Sequence, residues 1–223
     1  MAAPPLRIRP VSLESSGCFE SAMGEGRLSF LMMGHITRGI PTNFQGMRFR
    51  SRLEATWARF FDSLGWKWEY EPVDFNGWIP DFGLYGKNQK IYVEVKPVVC
   101  FPKDVSEKLE ASGCLDEILI VGETMPCSSI DGDEWDSVIL GWLGENEKYE
   151  EDCGFWWQDA VFGRWEDGKG KIGFCVSTGR YVDRISGGYD GGCHGTGEVS
   201  LSEVRSLWAS AKNKAQWNGG MRP

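Results

Sequence analysis

Residues 49–96 read FRSRLEATWARFFDSLGWKWEYEPVDFNGWIPDFGLYGKNQKIYVEVK, and the spacing of apolar, turn and charged residues along them decides the fold. Leu53, Trp57, Phe60, Phe61 and Leu64 recur at three- and four-residue steps, and Gly65 follows as an αL stop. That pattern predicts an amphipathic helix over 49–64 with Glu54 at the edge of its apolar stripe. From Lys67 to Glu71, Trp68 and Tyr70 alternate with charged residues until Pro72, which predicts a strand, and Asp74 to Gly77 has turn chemistry. Trp78 to Phe82 reads as a second short strand carrying Pro80-Asp81, Gly86 to Asn88 as another turn, and Lys90 to Lys96 as a third strand. In that third strand Ile91, Val93 and Val95 share one face while Tyr92, Glu94 and Lys96 share the other.

Pairing of the second and third strands as a hairpin sets Asp81 beside Glu94, and a helix packed on the sheet brings Glu54 to the same edge. Carboxylates gathered in this way raise one another's pKa unless a cation neutralises them. Hard oxygen donors with no nearby His or Cys favour Mg²⁺ or Mn²⁺ over Zn²⁺. Each of these charges taken alone reads as an ordinary solvated side chain; the ordered set points to a site.

The order Glu, then Pro-Asp, then Glu-x-Lys, on helix, strand and strand, resembles the PD-(D/E)xK nuclease superfamily. The run RSRLEATWARFFDSLGWKWEYEP ahead of IPDF and VEVK is similar to its phage-type members, junction-resolving endonucleases among them, over roughly residues 45 to 122. The resemblance implies an α/β fold with a restriction-endonuclease-like αβββαβ core, a central mixed sheet, and metal-dependent hydrolysis of DNA phosphodiesters. Asp81 and Glu94, with the backbone carbonyl of Val95, would hold one or two ions, Glu54 would complete the ligand set or serve a second ion, and Lys96 would orient or help deprotonate the attacking water. Such ions polarise the phosphoryl oxygen and stabilise the leaving oxygen. Branched or Holliday-junction DNA is the first choice of substrate and a twofold homodimer goes with it; a sequence-specific or nicking endonuclease is the alternative.

Eleven tryptophans, a hydrophobic content of 41% and a length of 223 residues support a sizeable core. The run LSFLMMG is too short to span a bilayer, and the N-terminus lacks the order of a signal peptide, so a cytoplasmic location in a bacterial or phage-infected host cell is expected. Seven cysteines without paired spacing are expected to be reduced. A net charge of −8 sits awkwardly with DNA binding, yet residues 1–60 carry eight arginines against four glutamates. Arg48, Arg50, Arg52 and Arg59 flank Glu54 as candidate DNA contacts, while acid concentrates from Glu123 to Asp159.

Along the chain, residues 1–42 read as an N-terminal arm and 43–122 as the nuclease core. Pro102 and Asp104 open a second helix that Gly113 stops, with Lys103 and Lys108 on a face that is either solvated or touches DNA; EILIV at 117–121 is a buried strand. Residues 123–199 divide into an acidic, Trp-rich insertion or lid, with Trp135, Trp142, Trp156 and Trp157, and a β-rich appendage. The acidic segment supports a reading from a different class, a non-catalytic DNA mimic that binds a DNA-processing protein. Cys153, Cys175, Cys193 and His194 lack zinc-site spacing, and the glycines of 187–197 lack the strand-loop-lysine context of a nucleotide-binding loop. Ser200 to Glu203 forms a capping box, and an apolar stripe from Leu201 to Ala215 predicts a C-terminal helix, within 200–223, that docks on the core.

Overall fold

A two-stranded hairpin, β1 (Thr42–Phe44) and β2 (Met47–Phe49), leads into helix α1 (Arg52–Leu64). Gln45 and Gly46 form its tight turn with positive φ at both positions, which matches the right-handed twist of the flanking strands. The computed structural model describes residues 39–132, 137–146, 155–178, 181–189, 191, 195 and 197–215, all within the unit Arg38–Pro223. Most of the expected N-terminal arm, Trp135, Cys153, Cys193, His194 and residues 216–223 lie outside those residues.

Helix α1 begins where the Ser51 hydroxyl accepts the Glu54 N–H and ends at Gly65, whose φ of 70° lets its own N–H turn back to the Asp62 carbonyl. After it come β3 (Lys67–Tyr70), β4 (Phe82–Tyr85), β5 (Lys90–Val95), α2 (Lys103–Glu110) and β6 (Glu117–Val121). The sheet continues through β7 (Ile139–Asn146), β8 (Phe155–Arg164) and β9 (Ile172–Val176), and helix α3 (Leu201–Lys214) follows. The seven strands β3 to β9 lie side by side in chain order. β5 and β6 run parallel across the α2 crossover and the other neighbours are antiparallel, so the chain is an α/β protein on one mixed sheet.

Strand alternation separates two apolar layers. Ile91, Val93 and Val95 face α1 and α3, where the Trp57 and Trp208 rings pack tilted with centres 4.7 Å apart and Phe60 meets Trp208 edge-on at 5.5 Å. Tyr92, Ile118, Ile120 and Trp142 face α2 and its Leu109. Burial of aromatics of this size dominates the core energetics. The α3 cap forms at Ser200, whose hydroxyl accepts the Glu203 N–H at 3.2 Å, while the Glu203 carboxylate turns away to the Arg164 guanidinium at 2.7 and 2.8 Å.

Three expectations need correction. The strand expected at 78–82 starts at Phe82: Trp78 instead closes a tight turn by bridging Phe75, and Pro80, without an N–H, cannot join a ladder. The segment 139–146, expected within an insertion or lid, is a sheet strand with Trp142 fully buried. Acidic runs on either side of it dominate the local composition and mask the apolar strand between them. The expected separate β-rich appendage likewise extends the central sheet, as β8 and β9. Gly141 permits the close approach of β7 to β6, since a Cβ there would stand 2.3 Å from the Ile120 carbonyl oxygen.

Candidate active site

Asp81 stands immediately before β4, and the register Phe82 to Val93 carries it to the level of Glu94 on β5. Its Oδ2 accepts the Val95 N–H at 2.7 Å, which pins the carboxylate to the end of β5. Its Oδ1 lies 2.5 Å from the Arg50 guanidinium. On β5 the alternation points Glu94 toward the α2 face, where its Oε2 accepts the Trp78 indole N–H at 2.9 Å and its Oε1 meets Lys96 Nζ at 2.5 Å. Lys96 and Glu94 therefore do share a side, as their spacing predicts.

Glu54 reaches the same edge from the opposite layer. Its Oε1 accepts the Ser51 hydroxyl at 2.7 Å, and its Oε2 accepts the Tyr70 hydroxyl at 2.6 Å and the Arg50 N–H at 3.1 Å. Arg50 also pairs with Glu71 at 3.0 Å, so one guanidinium sits among the carboxylates of Asp81, Glu71 and, at 3.9 Å, Glu54. Glu54, Asp81 and Glu94 are 7%, 4% and 7% exposed, and with Lys96 they line an open cleft of about 360 Å³. Buried charges at this density need a functional or structural account.

The electrostatics follow from burial. Burial pushes the Asp81 carboxyl up to about 7, with the adjacent Glu94 and then Glu54 pushing the same way against the Val95 N–H and Arg50. Burial alone would lower the Arg50 pKa, but Asp81, Glu54 and Glu71 outweigh it and hold the guanidinium firmly protonated. Burial and the hydrogen bond to Glu54 raise the Tyr70 hydroxyl, which stays a donor.

Among the described residues, no three His, Cys, Asp or Glu groups already stand as a metal-holding cluster. Asp81 and Glu94 nonetheless suit a hard divalent ion: both are oxygen donors, and burial, with Glu94 adding to it, raises Asp81 well above its ordinary range. Glu54, the third expected ligand, accepts hydrogen bonds from Ser51, Tyr70 and Arg50.

The four flanking arginines divide by environment. Arg48 and Arg52 are exposed, and Arg48 lines a shallow hollow with Arg50 beside the cleft. Arg50 is held by carboxylates. Arg59 lies over the Phe44 ring at 4.0 Å, which fixes the β1–β2 hairpin to α1 and turns this side chain away from the cleft's carboxylates. Of Cys153, Cys175, Cys193 and His194, Cys175 is the one described, and it is buried on β9.

Three site residues escape the sequence reading: Ser51, Tyr70 and Trp78. Ser51 and Glu54 form the S-x-x-E signature of a capping box, which was a readable signal. Tyr70 alternates with Trp68 toward the α1 layer, but nothing in the sequence aims its hydroxyl at Glu54. Trp78 belongs to a turn whose closure only the fold reveals. No protein-family model, curated protein or solved structure matches the chain.

Proposed function

We propose that this chain is a Mg²⁺- or Mn²⁺-dependent DNA endonuclease with a restriction-endonuclease-like core, acting on branched DNA and belonging to the phage or mobile-element type. The observation that carries the reading is the juxtaposition of Asp81 and Glu94 with Lys96 in one open cleft, with Lys96 Nζ 2.5 Å from Glu94 and Asp81 anchored on the Val95 N–H. The element order α1-β3-β4-β5-α2-β6, with β5 and β6 parallel, is the order that the PD-(D/E)xK pattern calls for.

Asp81 and Glu94, with the Val95 carbonyl, would hold the ion, which when bound supplies positive charge to the phosphoryl oxygens and acidifies water. Lys96 sets its ammonium beside Glu94, where it orients water and phosphate as a compact cation. Trp78 fixes the Glu94 rotamer through its indole N–H, and Ser51 and Tyr70 fix Glu54. Arg50 balances the acids and carries a charge suited to a phosphate neighbour. Exposed Arg48 and Arg52 extend the basic edge.

Of the tryptophans that the DNA-mimic reading draws on, two have structural duties here, Trp142, which is buried and donates to the Ser128 carbonyl, and Trp157, which donates to Glu110, while Trp156 is exposed. The test is incubation of the protein with supercoiled plasmid, linear duplex and a four-way junction, with Mg²⁺ or with chelator. Cleavage by the wild type with metal, lost in Asp81→Ala and Lys96→Ala, is the expected result. Inertness of the wild type on every form sinks the proposal.

A further inference from the structure

A second hollow of about 380 Å³ adjoins the cleft and shares Gly77, Trp78, Glu94 and Lys96 with it. One wall is aromatic. Phe75 and Trp78 exchange backbone hydrogen bonds at 2.8 and 2.9 Å across a turn in which Asn76 and Gly77 both take positive φ, and the Asp74 carboxylate accepts the Gly77 N–H at 2.8 Å. This turn holds the Phe75 and Trp78 rings stacked, 5.5 Å apart and 22° from parallel, and Phe75 rests edge-on against Tyr92 at 4.9 Å. The opposite wall is the flank and end of α2, with Lys108 exposed and Leu109 buried.

The chemistry of the hollow selects its occupant. The Trp78 indole N–H is already committed to Glu94, so this wall offers π surface to a flat ring rather than a donor. Of the charged groups lining the hollow, Glu94 and Lys96 pair with each other and Lys108 is left in excess, so the balance favours an anion. A flat ring covalently tied to an anion, seated beside a cleft that takes a phosphate, is a nucleotide base. Within a duplex that base is stacked and paired, and it reaches such a hollow only after leaving the stack.

We propose that this hollow binds the base of an unpaired nucleotide adjoining the phosphate presented to Asp81, Glu94 and Lys96, which gives the site a preference for DNA with single-stranded character. The inference rests on the nuclease reading for the identity of the neighbouring phosphate. Phe75, Trp78 and Lys108 are then binding residues, with Phe75 and Lys108 apart from the chemistry.

The experiment measures the fluorescence anisotropy of a labelled single strand of about ten thymidines and of a blunt duplex of equal length, with Ca²⁺ in place of Mg²⁺ so that binding is read without turnover. The proteins are the wild type, Phe75→Leu, which keeps an apolar side chain at the turn, Lys108→Ala, and Ala111→Trp, an exposed position that fills the hollow. Thermal melting checks that each variant is folded. The expected result is single-strand binding weakened about tenfold in Phe75→Leu and Ala111→Trp and less in Lys108→Ala, with duplex binding unchanged. Equal single-strand affinity in all four proteins, or no single-strand binding by the wild type, overturns the proposal. Plasmid cleavage with Mg²⁺ is scored in parallel. Intact cleavage without any effect of the hollow variants defeats this inference alone, whereas binding that depends on the hollow in a protein that cuts no DNA supports the base site and defeats the nuclease reading.

Discussion

Arg50 and Asp81 are joined at 2.5 Å, and the same guanidinium lies 3.0 Å from Glu71 and 3.9 Å from Glu54. A protein cation thus compensates acids that the fold brings together from α1, from the end of β3 and from the residue before β4. Arg50→Ala should leave them repelling one another, so the variant should be less stable than the wild type in chelator by about 1 kcal/mol, a modest figure because the arginine side chain is more than half exposed. Mg²⁺ or Mn²⁺ should restore more stability to the variant than it adds to the wild type. Thermal unfolding with and without ion checks this, and equal ion-induced shifts in both proteins would contradict it.

Lys96 makes its ion pair with Glu94 at the cleft and is about one-third exposed. Its loss should therefore affect chemistry more than folding. Lys96→Ala should reduce the cleavage rate on the order of a hundredfold or more while melting within about 1 kcal/mol of the wild type. Single-turnover cleavage together with urea titration separates the two effects, and a variant that cuts at the wild-type rate would remove Lys96 from the mechanism.

The β4–β5 hairpin, the sharing of a side by Glu94 and Lys96, the α1 stop at Gly65 and the buried strand 117–121 were all legible, because each rests on local periodicity or on a residue with a single conformational use. What was not legible depends on partners distant in sequence. Glu54 has the right helix position, but its engagement by Tyr70, sixteen residues on, follows from β3 packing across α1. Arg50 reads as a DNA contact from composition, and that its guanidinium also pairs with Asp81 and Glu71 depends on residues 31 and 21 positions further along the chain. The strand 139–146 was obscured by the acidic runs on either side of it, and only its pairing with β6 and β8 exposes it as core.

Trp57 ties α1 to the sheet: its ring is fully buried and its indole N–H donates to the Gly122 carbonyl at 2.9 Å, just past β6. Trp57→Phe keeps most of the apolar contact and leaves that carbonyl without its donor. A loss of about 1 to 3 kcal/mol in urea denaturation is expected, growing to about 3 to 5 kcal/mol for Trp57→Ala as a cavity opens against Trp208. Similar small losses for both variants would mean that the ring does not bear on the packing of α1.

Asp81 connects stability and activity to pH in opposite senses. Its carboxyl rises from 3.8 when unfolded to about 7 in the fold, chiefly through burial and then Glu94, so the folded state holds this proton more tightly than the unfolded chain does. The associated stability is fully present below about 3.8 and is lost as pH rises toward 7. Asp81→Asn removes the charge, so it should be more stable than the wild type at pH 8, on the order of 1 kcal/mol, with the difference shrinking at pH 5. Activity should run the other way, because only the ionised carboxylate serves as a ligand: cleavage should climb as pH rises through about 7, and more Mg²⁺ should move that midpoint toward acid as ion and proton compete for the same oxygens. Melting curves of both proteins across this range, with rate profiles at low and high Mg²⁺, check the linkage. A midpoint indifferent to ion concentration would separate the Asp81 proton from ion binding and leave its raised pKa a consequence of burial alone.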